Sequence, residues 1–438
     1  MTNQSADRQL LEASFRAAVQ AADPAHTVAM HLPSETQLLG YGKVKVLGAG
    51  KAAASMARAI ELAMPASVKF DGFVVTRYGH SVPTESIKVV EAAHPVPDAA
   101  GVVAAQQIWN EAAALNANDL LIVLISGGGS SLLSLPVDGV SMDELRQVTK
   151  ALLASGAPIE QMNVVRKHLS QIQGGRLAQA TAAQVLVLVI SDVAGDDFSA
   201  IASGPCAPDP STFLDAQEVL QRWSIEAPTG IKRHLADGVA GLVIDTPKPN
   251  DRIFNKVEHR LIACAHQSLE AAAKVIEGAG IQTVILGDTV TGEARDVAQV
   301  MAAITREILL RGRPFKSPVA LISGGECTVT LRANNSRKAR GGRCSEFLLA
   351  LVEALGPIAD RIAALAADTD GIDGSEDNAG AVWTPDMRKL VDTAEISARQ
   401  LLDANDAWGF FDAAGGLLYT GPTLTNVNDY RVILIKGN

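Results

Sequence analysis

Cysteine, aromatic side chains and long apolar runs are all scarce in this chain. Cys206, Cys264, Cys327 and Cys344 are the four cysteines in 438 residues. They show no metal-type spacing, so a reducing, cytoplasmic compartment is the simplest expectation. Aromatics make up 4% of the chain against 47% hydrophobic residues overall, with 37 glycines, a composition that suits α/β layers. No apolar run approaches membrane-spanning length. The opening MTNQSADRQLLEAS lacks a positive n-region followed by an apolar core, so no secretion signal is expected. Basic residues are in deficit, 38 Lys and Arg against 48 Asp and Glu, and the net charge of −10 disfavours nonspecific binding to nucleic acid or an anionic membrane. A small anionic substrate needs only a local cationic pocket. Two motifs are also missing. No G-x-S-x-G surrounds Ser126, Ser130 or Ser131, which argues against a serine hydrolase. A Walker pattern fails because its first glycine would fall on Lys45 and its closing hydroxyl on Ala52.

What is present is a series of apolar runs ending in glycine- or aspartate-rich loops. The length predicts two or three domains. Residues 120–136 read LLIVLISGGGSSLLSLP: an unbroken apolar strand, buried on both faces, that stops at Ser126, Gly127, Gly128, Gly129, Ser130 and Ser131. Glycines allow backbone N–H groups to converge on an anion, so this is an expected phosphate site, a ligand-free turn being the bland alternative. Residues 44–63 predict a strand, the turn GAGK and a helix, the opening of a βαβ unit. Further strands are expected at 73–76, 89–93 and 185–190, the last leading into the polar loop SDVAGDDFSAIASGPCAPDPST. The proline-rich TPKPND at 246–251 reads as a linker, giving domains 1–246 and 247–438. Beyond it the pattern restarts at 261–265, and the strand at 319–322 opens into SGGE, echoing the first half. The expected fold is therefore α/β with two α/β domains, the first Rossmann-like with a mostly parallel sheet.

Several residues carry candidate chemistry. GAGKAA fits the permissive dinucleotide pattern G-x-G-x-x-A, and Arg77 after the next strand can meet a 2′-phosphate, so a nicotinamide-cofactor reading stays open. Lys51, at the mouth of a strand-turn-helix, puts an ammonium where a transferring phosphoryl group is stabilised. His94 reads as a structural loop residue, with a substrate contact as the alternative. Asp192, Asp196 and Asp197 form the best carboxylate cluster for a hard cation, or one of them accepts the proton of an attacking hydroxyl. Asp368, Asp370 and Asp373 form a second. Arg332, Arg337, Lys338, Arg340 and Arg343 concentrate positive charge, most of it read as a solvated face, while Gly341 and Gly342 place Arg343 near the start of an apolar-striped helix, positioned to clamp carboxylate or phosphate.

Taken in order, GAGKAA, HPVPD, SGGGSSLLSLP, SDVAGDDFSAIASGPCAPDPST, SGGECTVT, GGRCSEFLLA, DTDGIDG and TGPTLTNVND resemble the class II glycerate 2-kinases, whose carboxyl-terminal part is the MOFRL domain, here about residues 316–430. Members also carry the label hydroxypyruvate reductase, in connection with tartrate and hydroxypyruvate metabolism. The resemblance implies phosphorylation of D-glycerate to 2-phosphoglycerate by ATP with Mg²⁺ in an interdomain cleft, and leaves room for a homodimer. It implies that Lys51 and Arg343 are essential; Asp192 joins them as the third catalytic candidate. The expected cofactor-binding set is Ser126, Gly127, Gly128, Gly129, Ser130, Ser131, Gly324, Gly325 and Glu326, and the expected metal ligands are Asp192, Asp197 and Asp370. One departure is visible: the family commonly has Asn-Gln before the glutamate of GGRNQE, where this chain has Cys344 and Ser345 before Glu346.

Overall fold

Unbroken apolar strands need cover on both faces, and here they lie in a six-stranded sheet with helices around it. In the computed structural model, which describes residues 6–331 and 339–437, the strands are β1 (Val44–Ala49), β2 (Phe70–Arg77), β3 (Ile87–Ala92), β4 (Leu120–Ile125), β5 (Gln184–Ile190) and β6 (Val257–Ala263). Their order is β3-β2-β1-β4-β5-β6. The pairs β3–β2, β2–β1, β1–β4 and β4–β5 are parallel. Every residue of β4 is buried. This is the strand order of doubly wound folds, in which the order of strand addition reverses between β1 and β4 and opens a crevice at their carboxyl ends. Ala49 pairs with Ile125, so Gly50 and Ser126 leave the sheet side by side.

The chain divides into two units, Pro24–Ile262 and, as the second, residues up to Asp23 with Ala263–Asn438. The division differs from the expected one at two places, each with a physical reason. The TPKPND segment is fastened to the first unit, where Asp209 N–H donates to the Pro247 carbonyl at 2.9 Å and Thr246 Oγ1 donates to Asp209 at 3.0 Å. β6 then completes the first sheet. The helix Ala6–Ala21, by contrast, buries Leu11, Phe15 and Ala18 with Leu269, Ala272 and Ile276 of the second unit. Its Ser14 hydroxyl accepts from Tyr430 at 2.9 Å.

The second unit holds a mixed sheet of β7 (Gln282–Gly287), β9 (Val319–Ser323), β11 (Ile362–Asp368), β12 (Gly380–Trp383), β13 (Leu417–Leu418) and β14 (Asp429–Ile435), with a two-residue ladder of β8 (Gly292–Glu293) and β10 (Cys327–Thr328) beside it. β7 and β9 are parallel, as are β8 and β10, and the remaining pairs are antiparallel. The helix Arg343–Leu355 is buried on nearly all sides, Leu349 and Ala350 included, beyond the stripe expected from spacing. Helices Ala294–Arg311, Ala398–Asp403 and Ala407–Ala414 pack around it. Among the described residues no helix is long and apolar enough to cross a membrane.

At Gly48 the two central strands approach so closely that a Cβ would lie 2.5 Å from the Leu124 carbonyl oxygen. Replacing it forces backbone movement where the sheet has none to give. Gly48→Ala is expected to lower unfolding free energy by about 1–3 kcal/mol, read as a drop in the urea midpoint with unchanged slope.

Candidate functional site

The two loops leaving β1 and β4 are one hydrogen-bonded unit. Lys51 N–H donates to the Gly127 carbonyl at 2.8 Å, and Ala52 N–H donates to Ser126 Oγ at 3.0 Å. Gly50 has φ 140° and a Cβ there would lie 2.1 Å from Ser126 Oγ, so the interlock requires glycine. Gly128 has φ 79°, and its missing Cβ would stand 3.0 Å from the His94 ring and 3.3 Å from Lys51 Cγ. Lys51 and His94 therefore flank Gly128. Among the described residues, the N–H groups of Gly127 and Gly128 donate to no protein acceptor. A lysine stem against open backbone donors at the carboxyl end of a parallel sheet is chemically suited to a phosphoryl group.

Behind the loop stands a set of polar residues. Ala202 and Ser203 adopt left-handed backbone, with φ of 52° and 57°. Such strain persists only where surroundings enforce it. It presses Ala202 into the space a Gly129 side chain would need, 2.6 Å from that position. Ser203 Oγ lies 2.8 Å from Ser130 Oγ and donates to Asn163 Oδ1 at 3.2 Å. Gln173 donates to the Ser130 carbonyl at 2.7 Å. Asn163, Gln173 and Ser203 were not singled out by sequence; only the position of Ser203 inside a long polar loop after β5 pointed to it.

The Asp192–Asp197 loop follows β5. Asp197 accepts from Ser199 N–H at 2.8 Å and Ser199 Oγ at 2.9 Å, an Asx-type turn that organises its own segment. Phe198 stacks on His259 of β6 with ring centroids 4.8 Å apart, pinning the loop to the sheet edge.

The second unit gathers charges differently. Arg343 donates through Nε to Asp429 and through Nη2 to Asp368, both at 2.7 Å, while Nη1 faces Glu326 at 3.3 Å. Burial by itself would depress the Arg343 pKa, but Asp368, Asp429 and Glu326 outweigh it and hold the guanidinium firmly protonated. The same edge cannot also clamp a ligand without displacing an aspartate, so the open bidentate clamp expected from sequence is already engaged. Arg431 also pairs with Asp429 and donates to the Gly324 carbonyl at 3.1 Å. Gly324 N–H donates to Gly287, and the Gly325 carbonyl accepts from Asp429 N–H. A Cβ on Gly325 would lie 2.3 Å from the Val290 carbonyl oxygen. This glycine pair is thus knitted into β-sheet packing, unlike its counterpart after β4. Glu326 remains half exposed beside Arg343.

Asp373 caps the helix Arg343–Leu355, accepting from Cys344 N–H at 2.9 Å, Ser345 N–H at 2.7 Å and Ser345 Oγ at 2.6 Å. That assigns roles to the two residues departing from the family pattern: Ser345 binds the cap through its hydroxyl, and Cys344, fully buried, gives only its backbone. Asp370 is buried and accepts from Ile372 N–H at 2.9 Å, stabilising its own turn. Arg340 is not a solvated cation: it forms a two-pronged pair with Asp406 at 2.8 and 3.0 Å and lies 4.5 Å over the Trp408 ring. Arg332, Arg337 and Lys338 lie outside the described residues. The described residues form a recess of about 380 Å³ lined by Cys327, Leu331, Arg340, Gly341, Arg343 and Ser375. They contain no group of three His, Cys, Asp or Glu side chains arranged to hold a metal.

A parallel sheet of this order, with a lysine and glycine loop at its switch point, defines a doubly wound α/β protein. Residues 10–236 match a family described as a domain of unknown function, DUF4147, and residues 319–429 match the MOFRL family. The chain is 38% identical over 419 residues to a D-glycerate 2-kinase of Thermotoga maritima, covering 95% of each, and 38% identical over 398 residues to a glycerate 2-kinase of Pyrococcus horikoshii, covering 90% of this chain and 88% of that one. A protein of Agrobacterium vitis, 46% identical over 99% of this chain and 95% of its own, is provisionally named hydroxypyruvate reductase. The crystal structure of the Thermotoga maritima glycerate kinase superposes with a TM-score of 0.84 at 37% identity, covering 98% of this chain and 99% of that chain. The chain belongs to the glycerate 2-kinase family built from these two regions.

Two measurements test the geometry. Arg343→Ala strips the shared cation from two buried aspartates, so it is expected to lower stability by about 3 kcal/mol besides impairing activity, with Arg343→Lys in between; an unchanged denaturation midpoint would contradict the network. Burial depresses the His259 pKa from 6.5 to about 4. The unfolded chain takes up the proton first, so this stabilisation is complete above pH 6.5 and is lost as pH falls toward 4. The unfolding free energy measured from pH 7.5 to 4.5 should decline by about 1–3 kcal/mol, and His259→Gln should flatten part of that slope.

Proposed function

We propose that the protein transfers the γ-phosphoryl group of ATP to the 2-hydroxyl of D-glycerate, with Mg²⁺. The observation that supports this reading is the interlocked β1 and β4 loops, which bring the Lys51 side chain against Gly128, whose N–H and that of Gly127 donate to no acceptor among the described residues. Phosphoryl transfer asks mainly for positioning and for stabilisation of charge on the equatorial oxygens, and these groups supply both without a covalent intermediate. Names carried by relatives 38% identical over most of the chain support the substrate.

Asp192, one residue past the buried Ser191 at the end of β5, is the carboxylate assigned to accept the proton of the attacking hydroxyl or to hold Mg²⁺; its loop neighbour Asp197 is already committed to Ser199. A single carboxylate suffices in principle, because Mg²⁺ completes its shell with phosphate oxygens and water and neutralises their charge. Arg343 contributes through its Nη1 side, next to the half-exposed Glu326, since its other edge is bound to Asp368 and Asp429. Ser126 builds the loop, whereas Gly127 to Ser131 face the nucleotide. Gly324 and Gly325 serve by shaping the turn that carries Glu326.

A second reading has its own observation: the β3-β2-β1-β4-β5-β6 order and Arg77 at the end of β2 also suit a nicotinamide cofactor. Purified protein given D-glycerate, ATP and Mg²⁺ should release ADP and 2-phosphoglycerate, identified by phosphorus NMR. Given hydroxypyruvate it should leave NADH and NADPH unoxidised; the opposite pair of results selects the reductase. Lys51→Ala is expected to lower kcat by roughly 100-fold or more with an unaltered melting temperature, and a near-normal rate removes Lys51 from the reaction.

A further inference from the structure

One strong cation of the first unit is not used by the roles assigned above. Arg166 lies near the end of the helix Ile159–His168, and its two successors go elsewhere: Lys167 pairs with Asp209 at 3.4 Å and His168 with Asp245 at 3.0 Å. The Arg166 guanidinium has no ion pair and no side-chain hydrogen bond among the described residues. It is partly buried and lines a narrow recess with Pro95, Ser130, Ser134, Ser170 and Gln173, and no residue lining that recess is acidic. Burial lowers its pKa with no opposing carboxylate to raise it. A guanidinium stays charged in proteins, so desolvation without a counter-ion leaves a site that favours an anion.

The hydroxyls define the ligand further. Ser203 donates to Asn163, so the Ser130 proton is directed at Ser203. Ser134 and Ser131 donate to backbone carbonyls of Ser131 and Gly128. Ser170 differs. Its oxygen accepts from the N–H groups of Ile172 and Gln173, both at 3.2 Å, which leaves its own proton to give. The recess thus offers one full positive charge with a planar fork of donors, plus the hydroxyls of Ser170 and Thr149, in a confined space with apolar walls from Pro95, Leu135 and Leu145.

We propose that this recess binds the carboxylate of the hydroxy-acid substrate, with Arg166 as its bidentate anchor and Ser170 as an added donor. Resting on the kinase reading above, the assignment names the substrate end of that site. A single guanidinium balances one carboxylate, whereas a polyphosphate carries several charges and has Lys51 and the glycine loop. Ser130 and Ser131 belong both to the recess wall and to the loop following Gly127 to Gly129. An acid anchored at Arg166 therefore sets its 2-hydroxyl toward the phosphoryl cradle. Selectivity follows: uncharged polyols and amides of the same size lack the group that this cation requires.

The test pairs removal of the charge from the protein with its removal from the ligand. D-glycerate and its neutral amide, glyceramide, are compared as substrates and as thermal stabilisers of wild type, Arg166→Gln and Arg166→Lys. In wild type, glyceramide is expected to have a KM about 30-fold or more above that of D-glycerate. Arg166→Gln should raise the KM for D-glycerate by a similar factor, leave the KM for ATP within about twofold, and no longer distinguish the two ligands. Arg166→Lys should recover part of the loss. Equal KM values for D-glycerate and glyceramide in wild type overturn the assignment even should Arg166→Gln fail to fold, and so does an Arg166→Gln enzyme that keeps the wild-type KM. If wild type makes no ADP yet is stabilised by D-glycerate in an Arg166-dependent way, the kinase reading falls and the carboxylate site stands.

Discussion

The backbone interlock between the β1 and β4 loops is the constraint on which the first unit's chemistry depends. Lys51 reaches its place because its own N–H is bound to Gly127, and Ser126 closes the joint through Ala52. A parallel sheet leaves this junction at its carboxyl edge by topology; the glycines then remove every side chain that would keep the two loops apart. The lysine is consequently held by strand register and main-chain hydrogen bonds, not by a flexible loop. Preorganisation of this kind is what charge stabilisation in phosphoryl transfer requires, since donors that must first reorient lose much of their effect.

The second unit solves a different electrostatic problem. Arg343 and Arg431 share Asp429, Asp368 closes the other side of Arg343, and Glu326 completes the row. Buried charges are tolerated only in such mutual compensation. The result is a rigid polar spine joining the SGGE turn, the start of helix Arg343–Leu355 and the ends of β11 and β14. Asp373 fixes the same helix from its amino end, which explains how Ser345 can replace a larger amide there without loosening the turn.

Much of this was legible in the sequence. The strands β1, β4, β5 and β9 announced themselves as apolar runs because both faces are covered, and the glycine loop after β4 was read from composition as a phosphate site or a ligand-free turn. Other features were hidden for definite reasons. β6 is half exposed at a sheet edge and carries His259 and Arg260, so its pattern did not tie it to the first sheet. The helices Phe213–Arg222 and Thr229–Val239 follow a polar loop that masked their start. TPKPND looked like a linker because proline content says nothing about the hydrogen bonds that fasten it. Arg166 sits in a stretch without any motif, and only a partly buried cation lacking an ion pair among the described residues reveals it. The two glycine turns, alike as strings, diverge once their hydrogen bonds are counted: one is filled by neighbouring backbone, the other retains open donors.

None of the four native cysteines is in a disulfide and all are buried, and burial pushes Cys206 up to about 12 and Cys344 well above the usual thiol range. Nucleophilic attack needs access as well as the thiolate, and burial restricts access to all four. Maleimide dyes should therefore ignore the wild-type protein while it is folded. A single engineered surface cysteine on either unit can then carry a fluorophore against a silent background, giving the molecule a ready route to optical distance measurements during turnover.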